Sequence, residues 1–482
     1  MKITKFLITI VLTTSLLSSC EEERLDILPV LSDPLETVIV DETSLNEMLI
    51  GGYDQMSSAT LFGANLLIYG DLFSDNTFVS NTNDGYFFQE NALAISTQTD
   101  LGFLGGLYKA IIYANIILNN TLQDTPVIQN IEGQAYAIRG LSLFYLVNLF
   151  SSNPTSGQYQ EFGVPVYTGP YNPSENYPRM TVTEVYNQII FDFEQALTNM
   201  NQPLNGPDSG NKSYLSPTAV KLLLSRVYLT RGEAGDYQKA LDYANAVINT
   251  SPSQFGFVSS ENYASYFSAS DISLSEDQPE TVWEINMTGA DNPQLNSAIS
   301  SFYHRTGAHA SLLFRQDFYN SFNDGDIRKS LFSVAGAPTS DEPKGVWTTK
   351  WPRATSEGNF TINVKVLRMS EAKLNRIEAL YHLGQTGTAL TELNVFAASR
   401  GGDTYSGSDL LNDILTERRK EFFGEGQRFY DLKRNNLGYT KLTNCAGSVC
   451  TVEANSKWMV FPMPETSELL LNPLMTQHPL WQ

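Results

Sequence analysis

The stretch Asp413-Ile414-Leu415-Thr416-Glu417-Arg418-Arg419-Lys420-Glu421-Phe422-Phe423-Gly424-Glu425-Gly426-Gln427-Arg428-Phe429-Tyr430-Asp431-Leu432-Lys433-Arg434 decides how the chain is read. Leu411, Ile414, Leu415, Arg418 and Phe422 recur at three-to-four spacing, which predicts a helix with one inward stripe. Ser408 is the expected N-cap, and Asp409 suits the positive start of that helix. Gly424 and Gly426 tolerate backbone angles other residues avoid, so the helix stops there and a second follows. Between them Glu425 is flanked in sequence by Arg418, Arg419 and Arg428, which predicts an ion-pair hub. A general acid or base needs a cleft and a shifted pKa. No His or nucleophile stands near this charge in sequence, so the expected role is structural, with no catalytic residue.

Outward from this motif the chain reads as mainly α. Gly235-Asp236-Tyr237-Gln238-Lys239-Ala240, then Ala244, Val247 and Pro252, has the form of the second half of a tetratricopeptide repeat. The preceding helix is expected over 217–230. A second unit has Gly384 five residues before Ala389, followed by Leu393 and Phe396, after a helix over 368–383. Two units cannot bury a continuous repeat core alone, so they are expected to pack against non-repeat helices. Those are predicted over 41–53, 99–122, 131–150 and 181–199, the last capped by Thr181 or Thr183. Residues 154–180 should form an ordered loop. Residues 251–366 lose helical periodicity. Glu280 to Ile285 alternates like a short strand with Trp283 in the core. Asp324-Gly325-Asp326-Ile327-Arg328 is a turn with an ion-pair option. It is not a calcium loop, since Ala335 stands where the bidentate acid would fall.

The start of the chain has Lys2 and Lys5 before the apolar run Phe6 to Leu12. That is the form of a secretory signal peptide over 1–19, too short to stay as a membrane span. Leu17-Ser18-Ser19-Cys20 resembles a bacterial lipobox, which makes Cys20 the expected lipidation site and the only membrane anchor. The formal net charge of −21 becomes −23 once the two lysines of residues 1–19 are removed. That balance argues against nucleic acid as a partner. Cys445 and Cys450 remain; an exported chain could join them in a disulfide or keep two thiols. No second Cys or His pair accompanies them, so neither a metal nor another cofactor is expected.

The pattern E-R-R-x-E-F-x-x-E-G-x-R-x-x-D-L-x-R resembles the signature of the SusD/RagB family, surface lipoproteins that capture nutrients for an outer-membrane transporter. Its residues here are Glu417, Arg418, Arg419, Glu425, Gly426, Arg428, Asp431 and Arg434. Arg368 to Leu374 with Glu378-Ala379 is similar to another family helix. Asn323 to Arg328 is similar to its D-x-D/P-x-R turn, and Trp458 to Pro464 through Trp481 to its terminal tail. His478 stands where that tail usually has Asn. Glu21-Glu22-Glu23 after Cys20 resembles the surface-export signal of relatives. The resemblance implies a SusD-like α-α superhelix with tetratricopeptide-like hairpins packed on a loop-rich region with short strands. It divides the chain into residues 1–19 (signal peptide), 20–250 (N-terminal helical region) and 251–482 (C-terminal region with ligand loops, last hairpin and tail). It also implies an outer-membrane, lipid-anchored protein facing the exterior, partnered by a SusC-like TonB-dependent barrel.

Recognition of sugars needs flat aromatic faces together with amides, carboxylates or guanidiniums for the hydroxyls. Two stretches offer both. The first holds Asp75, Asn76, Asn83, Asp84, Tyr86 and Phe87; the second holds Tyr303, Arg305, Trp347 and Trp351. Loops on a rigid scaffold are the usual place for such groups. The expected function is oligosaccharide capture and delivery as a lid on the barrel. The alternatives are a peptide-capturing member of the family and a repeat-type protein adaptor. A glycoside hydrolase would need a carboxylate pair across a cleft, and no motif supports one.

Overall fold

The computed structural model describes residues 39–170, 172, 174–200, 211–250 and 254–482. The signal segment, Cys20, Glu21 to Glu23 and Pro252 lie outside the described residues. The described chain is mainly helical with a few short strands, as expected.

Helix α1 (Glu42–Ser57) starts at Asp41, whose carboxylate accepts the Ser44 N–H in a capping box. Then come α2 (Asn65–Leu72), α3 (Phe103–Leu118), α4 (Pro126–Phe150) and α5 (Val182–Asn199). Two helix starts depart from the sequence reading, and α1 also runs on to Ser57 while α3 stops at Leu118. Helix α3 begins at Phe103 rather than Thr99, because Gly102 takes a left-handed conformation and ends the loop. Helix α4 begins at Pro126 rather than Ile131, because Thr125 accepts the Ile128 N–H and Pro126 fits the first turn. Helix α5 starts from Thr181, with Glu184 completing a second capping box.

The repeat hairpins are α6 (Pro217–Arg231) with α7 (Asp236–Ile248), and α8 (Met369–His382) with α9 (Thr386–Ser399). Packing runs in one continuous series: α3 on α4, α4 on α5, α5 on α6, α6 on α7, α7 on α8, and α8 on α9, with α1 against α3 and α4. The two repeats therefore gain neighbours on both sides, and the helices before residue 200 serve as further units of the same superhelix. One hydrophobic core runs without a break from Leu45 to Met475, crossing residue 250.

Two strand pairs tie the irregular region to this scaffold. Strand β1 (Thr77–Val79) pairs antiparallel with β3 (Leu312–Phe314), in register Thr77 to Phe314 and Val79 to Leu312. Strand β2 (Thr281–Ile285) pairs with β4 (Val364–Arg368), Thr281 opposite Arg368 and Ile285 opposite Val364. Trp283 on β2 is fully buried, and its indole N–H donates to the Ser213 carbonyl at 3.2 Å.

Helix α10 (Leu410–Glu421) and helix α11 (Arg428–Arg434) form the motif. Asp409, not Ser408, is the N-cap, and its carboxylate accepts the Asn412 N–H. Leu410 rather than Leu411 takes the innermost place at the start of the stripe. Cys445 and Cys450 are disulfide-bonded, closing the loop between the paired segments Tyr439–Thr440 and Thr451–Val452. Reduction is expected to lower the unfolding free energy by about 2 kcal/mol, the entropy cost of so short a loop. Urea titrations with and without reductant check this.

The terminal tail returns to the core through His478, which is fully buried. Its Nδ1 accepts the Leu480 N–H at 3.3 Å, so the ring proton lies on Nε2, within 3.2 Å of Ser152 Oγ. Burial, with the charges of Arg179 and Lys433 behind it, pushes the imidazole down to about 3. In the unfolded chain the same ring takes up a proton near pH 6.5. Below that pH the unfolded state holds a proton the folded state refuses, so stability falls on acidification until about pH 3. His478→Asn keeps an acceptor for Leu480 and removes this loss. Between pH 7 and 5 the variant should lose about 2 kcal/mol less than the parent, read by urea unfolding.

Candidate functional site

The charged motif is a buried brace. Arg368, 1% exposed at its side chain, donates from Nη1 to Glu280 Oε1 at 2.8 Å and to Glu421 Oε1 at 2.9 Å. Its Nε and Nη2 each reach a Glu425 oxygen at 2.8 Å. Arg400 and Arg328 approach Glu421 from other sides at 3.3 and 3.4 Å. Burial alone would raise the Glu421 carboxyl, but the guanidiniums of Arg400, Arg368 and Arg328 hold it well below the usual carboxylate range. Glu417 accepts from Arg328 at 2.7 Å and from the Tyr405 hydroxyl at 2.8 Å.

The hub at Glu425 exists with different partners from those read in the sequence. Glu425 pairs with Lys350 and Arg368, not with Arg418, Arg419 or Arg428. Arg418 instead clamps Asp431 at 2.9 Å and Asn375 on α8 at 2.9 Å. Arg434 reaches Glu378 on α8 at 2.6 Å and Asp431 at 2.8 Å. Arg419 and Arg428 cross to the N-terminal part, where both hold Asp75, Arg428 at 2.9 Å and Arg419 at 3.2 Å. Gly426 is in contact with α2: a Cβ at Gly70 would lie 1.9 Å from the Gly426 carbonyl oxygen.

This brace accounts for several candidates. Asp75 is consumed by its two arginines. Asn76 is buried, receives Arg419 Nε at 2.7 Å and donates to buried Asp71. Burial pushes the Asp71 carboxyl up to about 7, but the residue is fully enclosed and faces no cleft. Trp351 is 3% exposed and donates its indole N–H to the Gly424 carbonyl at 3.0 Å, bracing the two-glycine turn. Trp347 packs with Phe78 and Leu313 in a small cluster under β1 and β3. Tyr303 is fully buried and stacks on Phe314 at 5.7 Å. The structure thus places Asn76, Trp347, Trp351 and Tyr303 in the buried scaffold and holds the partly exposed Asp75 between two arginines, away from any open face. Phe87 is also buried, edge-on to Phe302 at 4.9 Å. Asn83 caps its own turn, accepting the Gly85 N–H at 2.8 Å. Arg305 is exposed but turns away, its Nη1 3.4 Å from the Ala335 carbonyl.

The β1–β3 pair positions what remains. From its ends the chain runs into residues 80–91 on one side and 296–311 on the other, and a cavity of about 460 Å³ opens between them. Its wall includes Asn65, Tyr69, Tyr86, Glu90, Asn296 and Phe302. Tyr86 is 41% exposed and lies against the His309 ring at 4.1 Å. Phe88, beside it in sequence, is 56% exposed. His309 Nδ1 donates to Asp84 Oδ2 at 2.6 Å while its ring stacks on Phe302 at 4.9 Å, which fixes the loop that carries Tyr86. Of the candidates, the structure thus brings Tyr86 and an edge of the buried Phe87 to the cavity wall, and Asp84 to its rim through His309. Asn65, Glu90, Asn296, Phe302 and His309 were not singled out by sequence. Nothing local marks them, because the cavity forms only when β1 finds β3. Among the described residues no group of three or more His, Cys, Asp or Glu could hold a metal ion. No described helix is long and apolar enough to cross a membrane.

Comparison with known proteins agrees with this architecture. Residues 25–229 match a family model described as starch-binding associating with outer membrane, and residues 316–481 match the model of the SusD family. A SusD superfamily protein from Bacteroides thetaiotaomicron superposes with a TM-score of 0.80 at 26% identity, covering 91% of this chain and 100% of that one. A putative sugar binding protein from Bacteroides vulgatus gives 0.80 at 25%, covering 92% and 100%. Surface glycan-binding protein A from Bacteroides thetaiotaomicron, solved with laminarihexaose, shares the fold with a TM-score of 0.69 at 18% identity, covering 90% and 99%. No curated protein matches. The brace of α10 and α11, the stacked hairpins and the two model matches on either side of residue 250 place the chain in the SusD/RagB family.

Proposed function

We propose that this protein captures oligosaccharides at the cavity beside Tyr86 and passes them, unaltered, to a SusC-like TonB-dependent barrel in the outer membrane. The observation that carries the reading is the cavity itself. It joins an exposed aromatic face held by His309 to the side chains of Asn65, Gln89 and Asn296, which no described residue engages. A pyranose offers an apolar face and a rim of hydroxyls, and this lining answers both. The description of the matched family model and the sugar-binding relative support the same ligand class. No bond is broken in this role, so no nucleophile or acid–base pair is required. Cys20 carries the lipid that tethers the protein to the outer membrane, facing the exterior.

A glycan array probed with the soluble domain is the test. Tyr86→Ala should weaken retention of the strongest hits about tenfold or more, as removal of a central aromatic anchor does. Unchanged retention, or binding to peptides and to no glycan, would contradict the reading. Copurification of a large barrel with the lipidated form checks the partner, and loss of membrane attachment in Cys20→Ala checks the anchor.

A further inference from the structure

The charge of the cavity points to a class of glycan. Glu90 is the one charged side chain in its wall, and no Lys, Arg or His lines it among the described residues. Glu90 is half-buried and accepts the Tyr69 hydroxyl at 3.3 Å. The basic groups nearest in the rim segments are committed elsewhere. His309 is spent on Asp84, and Arg305 packs against Gly336 and the Ala335 carbonyl. What remains for a ligand is uncharged: the amides of Asn65, Gln89 and Asn296 and the hydroxyl of Ser297.

A sugar carboxylate or sulfate is recognised by guanidinium or ammonium groups, through charge-assisted hydrogen bonds. Here it would meet Glu90 with no cation to offset it, and a protein of net charge −21 behind it. We infer that the site selects uncharged or ammonium-bearing glycans and rejects those carrying carboxylate, sulfate or phosphate. This rests on the capture reading and names its substrate class.

Two measurements test it. On an array holding neutral, amino, uronic acid and sulfated glycans, every hit abolished by Tyr86→Ala should lack an acidic group. The strongest hit is then oxidised at its primary hydroxyls to carboxylates, or, if it has none, replaced by its nearest uronic acid analogue. The acidic form should bind the parent protein at least tenfold more weakly. Glu90→Gln, which keeps an acceptor for Tyr69, should narrow that gap, and so should added salt. An acidic form that binds as well as or better than its neutral parent through Tyr86 overturns the inference and leaves capture standing. Retention of no glycan at all overturns capture, and the charge preference with it.

Discussion

Replacing Arg368 by Met is expected to lower the unfolding free energy by about 3–5 kcal/mol, the range for removing one partner from a buried ion network. The guanidinium serves Glu280, Glu421 and Glu425 at once, at 2.8–2.9 Å, and all three carboxylates are enclosed. Taking it away leaves negative charges that water cannot reach. Arg400 and Lys350 stay on the remaining oxygens, but neither can replace a fork that bridges three elements. The effect should spread beyond the site of change. Glu280 precedes β2, Arg368 closes β4, and Glu421 ends α10, so their separation would loosen the join between the strands and the motif. Urea denaturation of parent and variant reads the shift in midpoint. Arg376→Ala is the control: its pair with Glu392 is partly exposed at both ends and should be worth less than about 1 kcal/mol.

The second large effect is expected at Gly426. Its φ is 71°, where a side chain is strained, and a Cβ there would lie 2.6 Å from the Leu67 Cα on α2. Gly426→Ala combines left-handed backbone strain with a clash against backbone that cannot step aside, so at least about 3 kcal/mol should be lost. The Gly426 N–H also donates to Asp71 at 3.2 Å, so a displaced turn costs that bond as well. Gly105→Ala, at a helical position with open space around it, should be tolerated. The contrast separates a glycine required by contact from one that is not.

These two positions show what could be read ahead of the structure. The glycines, the helix on each side and the density of charge were visible in one contiguous stretch, and so was a threonine cap at 181 or 183. The partners were not. Glu425 sits among Arg418, Arg419 and Arg428 in sequence, yet its cations come from Lys350 and Arg368, brought in by the strand pairing. Trp351 lies among Lys, Pro and Gly with no periodicity to show which way it points. Its partner, the Gly424 carbonyl, is 73 residues away. The candidate site suffered most from this. Tyr86 and Asp84 were legible as a polar, aromatic loop, but the opposite wall from Asn296 to His309 is defined only by the β1–β3 register.

The proposed capture places an uncut glycan between residues 85–90 and 296–302. A crystal structure of the protein soaked with the strongest array hit tests it most directly. An intact sugar chain should lie over Tyr86, its hydroxyls met by Asn65, Gln89 or Asn296. A glycan bound at another face, or density for a cleaved product in this cavity, would contradict it.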